Sequence, residues 1–237
     1  MEHTFKMCGV LVNGKPLEVF GGAALLDYSV GETEITNETF QGINRTTWRL
    51  LKARFGRRPI KLTIVFTGPT LHEAKAARSK FNSACFGEME LYIADDGFFY
   101  DVVCQNYGPE VLVGMGQREA KIKSEYSFYG IRRDALVSET VAAGGSIYCR
   151  STMPFTDARL TATVGETAES YTLGGATFSN VAAGDILVFD GIGGRITKNG
   201  QPYAASVSWV HFPSLVPGLN ANDAPDPVTV EYYPTYI

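Results

Sequence analysis

The stretch Thr70-Leu71-His72-Glu73-Ala74-Lys75-Ala76-Ala77-Arg78-Ser79-Lys80-Phe81-Asn82-Ser83-Ala84-Cys85-Phe86-Gly87 reads as one amphipathic helix in a chain whose other patterns are those of strands. Thr70 is a good N-cap, and Glu73 three residues on completes a capping box. Leu71, Ala74, Phe81 and Ala84 recur at helical spacing on one face, with Ala77 beside them. Lys75, Arg78 and Lys80 fall off that face, toward water. Gly87 supplies the positive φ that ends a helix at low cost. The helix is therefore expected over 70–86, and it needs a sheet to lie on.

That sheet is written on both sides of it. Upstream, Ile60, Leu62, Ile64 and Phe66 alternate with Lys61, Thr63, Val65 and Thr67, the strongest period-2 signal in the chain. Downstream, strands at 88–94 and 98–105 are joined by Asp95-Asp96-Gly97, and 120–128 alternates again. Two adjacent carboxylates raise the thought of an acid/base pair or a metal site. Asp-Gly is first of all turn chemistry, and no His or third carboxylate lies near. At the start, runs at 5–12 and 17–20 bracket Asn13-Gly14, a tight hairpin signal. Strands at 25–31 and 33–40 follow.

Gly130-Ile131-Arg132-Arg133-Asp134 is a charge cluster out of place in a sheet, and it marks a boundary. Short strands follow at 136–141, 145–149, 158–164, 171–178, 185–190, 195–198, 201–203, 207–212 and 228–233. Their regular spacing predicts an all-β sandwich. The fold class is thus mainly β. Residues 1–133 form a first β domain, barrel or sandwich, carrying the helix, and 134–237 form a second.

Composition narrows the function. Of 237 residues 45% are hydrophobic and 19% charged, enough apolar surface for a core and too little charge for disorder. A net charge of −4 points to neither nucleic acid nor membrane. The four cysteines, Cys8, Cys85, Cys104 and Cys149, are far apart and read as reduced, buried thiols. The first residues show no secretory signal, so synthesis in the cytoplasm is expected, and Asn37 and Asn44 in glycosylation-like triplets carry no weight. No apolar run approaches a membrane span.

His3, His72 and His211 are the only histidines. No nucleophile, base and orienting group can be assembled around any of them, so no catalytic, cofactor or metal residue is assigned and no enzyme is expected. Gly191-Ile192-Gly193-Gly194 lacks the spacing and the following helix of a phosphate loop, and reads as a turn.

Two patterns bear on binding. Residues 42–61 are weakly patterned, and Arg45, Arg49, Lys52, Arg54, Arg57, Arg58 and Lys61 occur there with no acid between them. The plain reading is a solvated loop whose arginines are wet; the functional ones are an arm that docks on an acidic neighbour or, less favoured, a nucleic-acid contact. Trp48, Leu50, Leu51 and Phe55 favour a packed arm, since a free loop gains nothing by exposing them. In the second half, Tyr203, Trp209 and Tyr232 (with Tyr233) are candidates for stacking against sugar faces, against the plainer reading that they are core or interface. A carbohydrate-binding β-sandwich module is the alternative function on that basis.

Near the C-terminus, His211-Phe212-Pro213-Ser214-Leu215-Val216-Pro217-Gly218-Leu219-Asn220 ends a strand in Phe-Pro-x-Leu and continues x-Pro-Gly-x-Asn into a last strand. This resembles the closing segment of the distal tail proteins of siphophages and related prophages. The segment 184–191 and the 196–201 hairpin resemble central hairpins of the same domain. Leu26-Asp27-Tyr28, the 34–39 and 60–66 strands, the single helix and the Asp95-Asp96-Gly97 hairpin resemble the N-terminal domain of that family. The resemblance implies a non-enzymatic virion structural protein of the tail tip, or baseplate hub, with a galectin-like C-terminal sandwich and no cofactor. It implies a homo-oligomeric ring, usually a hexamer, joining the tail tube and tape measure proteins to the tail-associated or receptor-binding protein. The basic segment would then be an inter-subunit arm.

Overall fold

The computed structural model describes residues 9–41, 46–116 and 118–237. The chain is mainly β and divides into two compact units, Met1–Arg132 with Ile237, and Arg133–Tyr236.

The first unit contains β1 (Val10–Val12), β2 (Lys15–Pro16), β3 (Ala23–Val30), β4 (Ile35–Gln41), β5 (Trp48–Phe55), β6 (Arg58–Gly68), α1 (Leu71–Ala84), β7 (Glu88–Ile93), β8 (Phe98–Tyr107), β9 (Val111–Met115) and β10 (Ala120–Arg133). Its main sheet runs in the order β2-β1-β7-β8-β10-β6-β3, with β9 also paired to β10. The β6–β10 ladder is long and regular, from Ala120 opposite Gly68 to Gly130 opposite Arg58. Ile60, Leu62, Ile64 and Phe66 are fully buried on one face of β6, as their alternation requires.

α1 lies on that face. The capping box forms: Thr70 Oγ1 accepts from the Glu73 N–H at 3.2 Å, and Glu73 Oε2 accepts from the Thr70 N–H at 3.0 Å. Ala74, Ala77 and Phe81 are buried, and the Phe81 ring meets Phe20, Phe66 and Tyr126 at 5.4, 5.9 and 4.8 Å. The approach is close enough that a Cβ on Gly68 would stand 2.6 Å from the Ala74 nitrogen. The helix stops at Ala84, two residues short of expectation, because Cys85 caps it by donating to the Phe81 and Asn82 carbonyls. Arg78 does not point into water. Its side chain is only 14% exposed and donates to Ser124 Oγ, the Gly108 carbonyl and Glu110 at 2.7, 2.9 and 3.1 Å. The expected strand at 17–20 is a single 3₁₀ turn.

The second unit contains β11 (Val137–Val141), β12 (Ser146–Cys149), β13 (Thr156–Thr163), β14 (Ala168–Leu173), β15 (Ala176–Val181), β16 (Ile186–Asp190), β17 (Arg195–Lys198), β18 (Gln201–Pro202), β19 (Val207–Ser208), β20 (Ser214–Leu215), β21 (Gly218–Ala221) and β22 (Val228–Tyr232). A sheet in the order β11-β22-β13-β16-β17-β18 shares one core with the β14-β15-β19 sheet, through Phe178 and Phe189 among others. The strand expected at 171–178 is instead a hairpin. Gly174 and Gly175 take positive φ of 59° and 78° and fold β14 back on β15. The strand expected at 207–212 is confined to Val207–Ser208.

The C-terminal motif has a local cause. The Asn220 side chain accepts from the Val216 N–H at 2.9 Å and donates to the Val216 and Gly218 carbonyls at 2.8 and 3.0 Å, clamping the turn that Gly218 makes at φ 95°.

Candidate assembly surface

β4 and β5 form a two-stranded ribbon of their own. Pairing runs from Ile35 opposite Phe55 to Gln41 opposite Trp48, with a bulge between Glu38 and Thr39. Every residue of β4 is exposed, as are Arg49 to Arg54 on β5. The register sorts the side chains into two faces. Ile35, Phe55, Ala53 and Leu50 share one with Asn37 and Thr39. Arg54, Lys52 and Arg49 share the other with Thr36, Glu38 and Phe40. Leu51, 67% exposed, is the extra residue at the bulge. One ion pair spans the charged face, Arg54 to Glu38 at 3.4 Å, between two exposed side chains. The ribbon is therefore amphipathic, with an apolar face in water, and an antiparallel pair standing alone is marginal.

The seven residues of the proposed arm are distributed unequally. Arg49, Lys52 and Arg54 are on the ribbon, and Trp48 opens β5 opposite Gln41. Arg57 is exposed in the link before β6. Arg58 does not belong to an arm: it is 5% exposed within β6, and its guanidinium donates to the Gly31 carbonyl at 3.2 Å. Arg45 lies outside the described residues, as do His3 and Cys8.

A second apolar surface was not read from the sequence. β9 pairs with β10, yet Val111, Leu112, Val113 and Met115 are all exposed, on both faces of the strand. The signal was the unbroken run Val111-Leu112-Val113 without polar alternation, normally the mark of a strand buried on both faces.

Of the candidate sugar-stacking rings, Trp209 is exposed, Tyr203 is half-buried and Tyr232 is core. Tyr232 is fully buried, donating to the Tyr148 carbonyl at 3.2 Å and accepting from the Arg150 N–H at 3.3 Å. Its place in the period-2 pattern of β22 puts it inward. Trp209 packs on Phe212 and Phe189 at 4.7 and 6.5 Å. Tyr203 donates to the Ser179 carbonyl at 2.6 Å and has Lys198 over its ring. The more exposed aromatics of this unit are Tyr148, paired with Leu219 across β12–β21, and Phe155.

The two loops weighed as sites are turns. Asp190 accepts from the Gly193 N–H at 2.8 Å, and Gly97 takes φ 75° after Asp96, which accepts from the Tyr100 hydroxyl. Among the described residues no three His, Cys, Asp or Glu side chains gather as a metal site, and no helix is long and apolar enough to cross a membrane.

Comparison with solved structures places this architecture. The crystal structure of the SPP1 Dit (gp 19.1) protein, described as a paradigm of the hub adsorption apparatus in phages infecting Gram-positive bacteria, superposes with a TM-score of 0.73, covering 98% of this chain and 100% of that one at 14% identity. The chain has the fold of a phage tail hub protein. Two structures of the phage P2 baseplate in its activated conformation, with Ca and with Sr, match at TM-scores of 0.52 and 0.51 and 8% identity, covering 90% of this chain and 91% and 90% of those. No protein-family model and no curated protein matches the sequence. The hub fold is the one that the C-terminal motif and the order of hairpins implied.

Proposed function

We propose that this chain is a structural subunit of a phage or prophage tail tip, with no enzymatic role. Copies close through their N-terminal units into a ring of six. The ring joins the tail tube and tape measure proteins to the tail-associated or receptor-binding protein. The observation that carries this reading is the exposed amphipathic ribbon of β4 and β5. It acts as an arm, its apolar face laid on the adjacent copy. The hub fold supports the same reading.

A closed ring is heterologous: one surface meets a different one on the next copy. The ribbon supplies the first surface and the exposed strand β9 the second. Covering half-exposed Ile35, Leu50 and Leu51 contributes roughly 1 kcal/mol each. Association costs at least about 4 kcal/mol before any net affinity appears. The ribbon alone is therefore marginal, and ring formation depends on concentration or on a template such as the last tube ring. No arrangement of exposed rings favours the carbohydrate-module alternative.

The test is light scattering over a concentration series with negative-stain images of the largest species. A closed ring with a central hole is expected. Arg49→Glu/Lys52→Glu/Arg54→Glu and Leu50→Ser/Leu51→Ser variants are expected to abolish it while circular dichroism and melting stay as in the parent. Arg58 is left out of the charge reversal because its burial would confound folding with assembly. Rings unchanged in both variants would refute the arm.

A further inference from the structure

We propose that the second unit holds a small-molecule site, a cavity inside the sandwich that takes one compact apolar ring bearing a neutral or cationic hydrogen-bond donor. The cavity measures about 240 Å³ and lies between the β11-β22-β13 strands and the β12–β21 pair. Val141, Ile147, Leu160, Leu215, Val228 and Val230 wall it, and all six are more than nine-tenths buried. These walls are aliphatic, and among the described residues no Phe, Tyr or Trp ring lines the space. It therefore offers no face on which a sugar could stack. Apolar walls give water few hydrogen-bond partners, so such a space takes an apolar guest in preference to water. It has room for one ring, so the occupant is a free small molecule and not a length of peptide.

The cavity stays open because its rim is fixed. Asn220 clamps the turn that leads into β21. The Asn222 amide donates to the Ala142 and Asp226 carbonyls at 3.0 and 3.1 Å, tying the end of β11 to the loop before β22. The Asp223 carboxylate accepts from the Gly174 and Gly175 N–H groups, both at 2.8 Å, and holds the β14–β15 turn at the edge of the cavity. That turn already lies against Leu160, since a Cβ on Gly174 would stand 2.3 Å from Leu160 Cδ1. A site held in this way exists before its ligand arrives, so little ordering is left to oppose binding. The same bonds set the polarity of the guest. The amide donors of Asn220 and Asn222 are spent on backbone carbonyls, and the exposed Asp223 carboxylate keeps acceptor capacity. Among the described lining residues Asp223 is the one acidic side chain, and no Lys or Arg joins it. His211 and Ser214, which also line the rim, can each accept as well as donate. A guest carrying an O–H, N–H or ammonium group is therefore favoured, and one carrying a carboxylate is repelled.

Benzylamine and benzyl alcohol are titrated into the native full chain and followed by saturation-transfer NMR and calorimetry, with benzoate and galactose as controls. Saturable, mutually competitive binding of the first two is expected, with benzoate weaker than benzylamine by about tenfold or more. Val141→Phe and Ile147→Phe each put a ring into the cavity. In a filled core such enlargement destabilises through strain. Here both variants are expected to keep the circular dichroism and melting temperature of the parent and to weaken benzylamine binding by about tenfold or more. Loss of the fold in both variants would show the space to be filled already and would overturn the proposal. So would a lack of saturable binding by either ring, binding unchanged in both variants, benzoate held as tightly as benzylamine, or displacement of the rings by galactose.

Discussion

Asp185 shows how much one side chain holds in the second unit. Its carboxylate accepts from the Ala182 N–H, from Lys198 Nζ and from Asn199 Nδ2 at 2.8, 2.9 and 2.8 Å. The backbone N–H first, then Lys198 and Asn199, favour the ionised form and hold its pKa down to about 2. An unfolded Asp titrates near about 3.9. The unfolded chain therefore binds the proton first as pH falls. The stabilisation is fully present above about pH 4 and is lost as pH drops through about 2. Melting temperatures at pH 7, 5, 3 and 2 are expected to fall less steeply for Asp185→Asn than for the parent, with the two curves converging at the acid end. Asp190 behaves similarly in direction. Burial pushes its pKa up, but the Gly193 N–H, Arg195 and Arg159 outweigh it and the net shift is downward. The difference between the two curves is therefore the quantity to compare. Arginine shows why single residues are hard to place from sequence. Arg78 and Arg58 stand in stretches that read as wet, yet both are nearly buried with their guanidinium groups hydrogen-bonded to carbonyls. Only the approach of Gly108 and Gly31, distant in sequence, supplies those acceptors.

At the scale of the element, α1 is the most legible part of the chain, because its signals are local. The reciprocal bonds of Thr70 and Glu73 involve residues three apart and need no tertiary context. Thr70→Ala is expected to cost about 1 kcal/mol, read as a lower urea midpoint for the first unit with the slope unchanged. The β4–β5 ribbon is the opposite case. Its basic residues and exposed apolar groups were visible, but its pairing was not. The bulge between Glu38 and Thr39 breaks the period of two. Its apolar face has no counterpart in a strand pattern that assumes a core inside the same chain. The 171–178 segment failed differently. Apolar residues continue on either side of Gly174-Gly175, so the turn was read as part of a strand, and only the pairing of Thr172 with Thr177 and Leu173 with Ala176 reveals the hairpin.

At the scale of the molecule, each unit has its own core. In the second, Phe189 is fully buried and touches the rings of Phe178, Trp209 and Phe212. Phe189→Ala is expected to destabilise by about 3–5 kcal/mol through lost burial and the cavity left behind. Scanning calorimetry is expected to show two transitions, with the variant lowering that of the second unit and leaving that of the first in place. A single transition shifted as a whole would show that the two cores unfold together.

The sequence by itself determined the β class, the helix and its cap, the Asn-Gly and Asp-Gly turns, the inward residues of β6 and the change of pattern after Gly130. All of these rest on contacts within a few residues or on the fixed periods of strand and helix. Only the tertiary structure decided which strands pair, which arginines are buried and that Tyr232 is core. These are contacts between residues remote in the chain, and their energy depends on what surface is left to water once both cores have closed. The ribbon and β9 stand at that limit: their apolar groups are written in the sequence, but that they remain exposed to water is visible only in the fold.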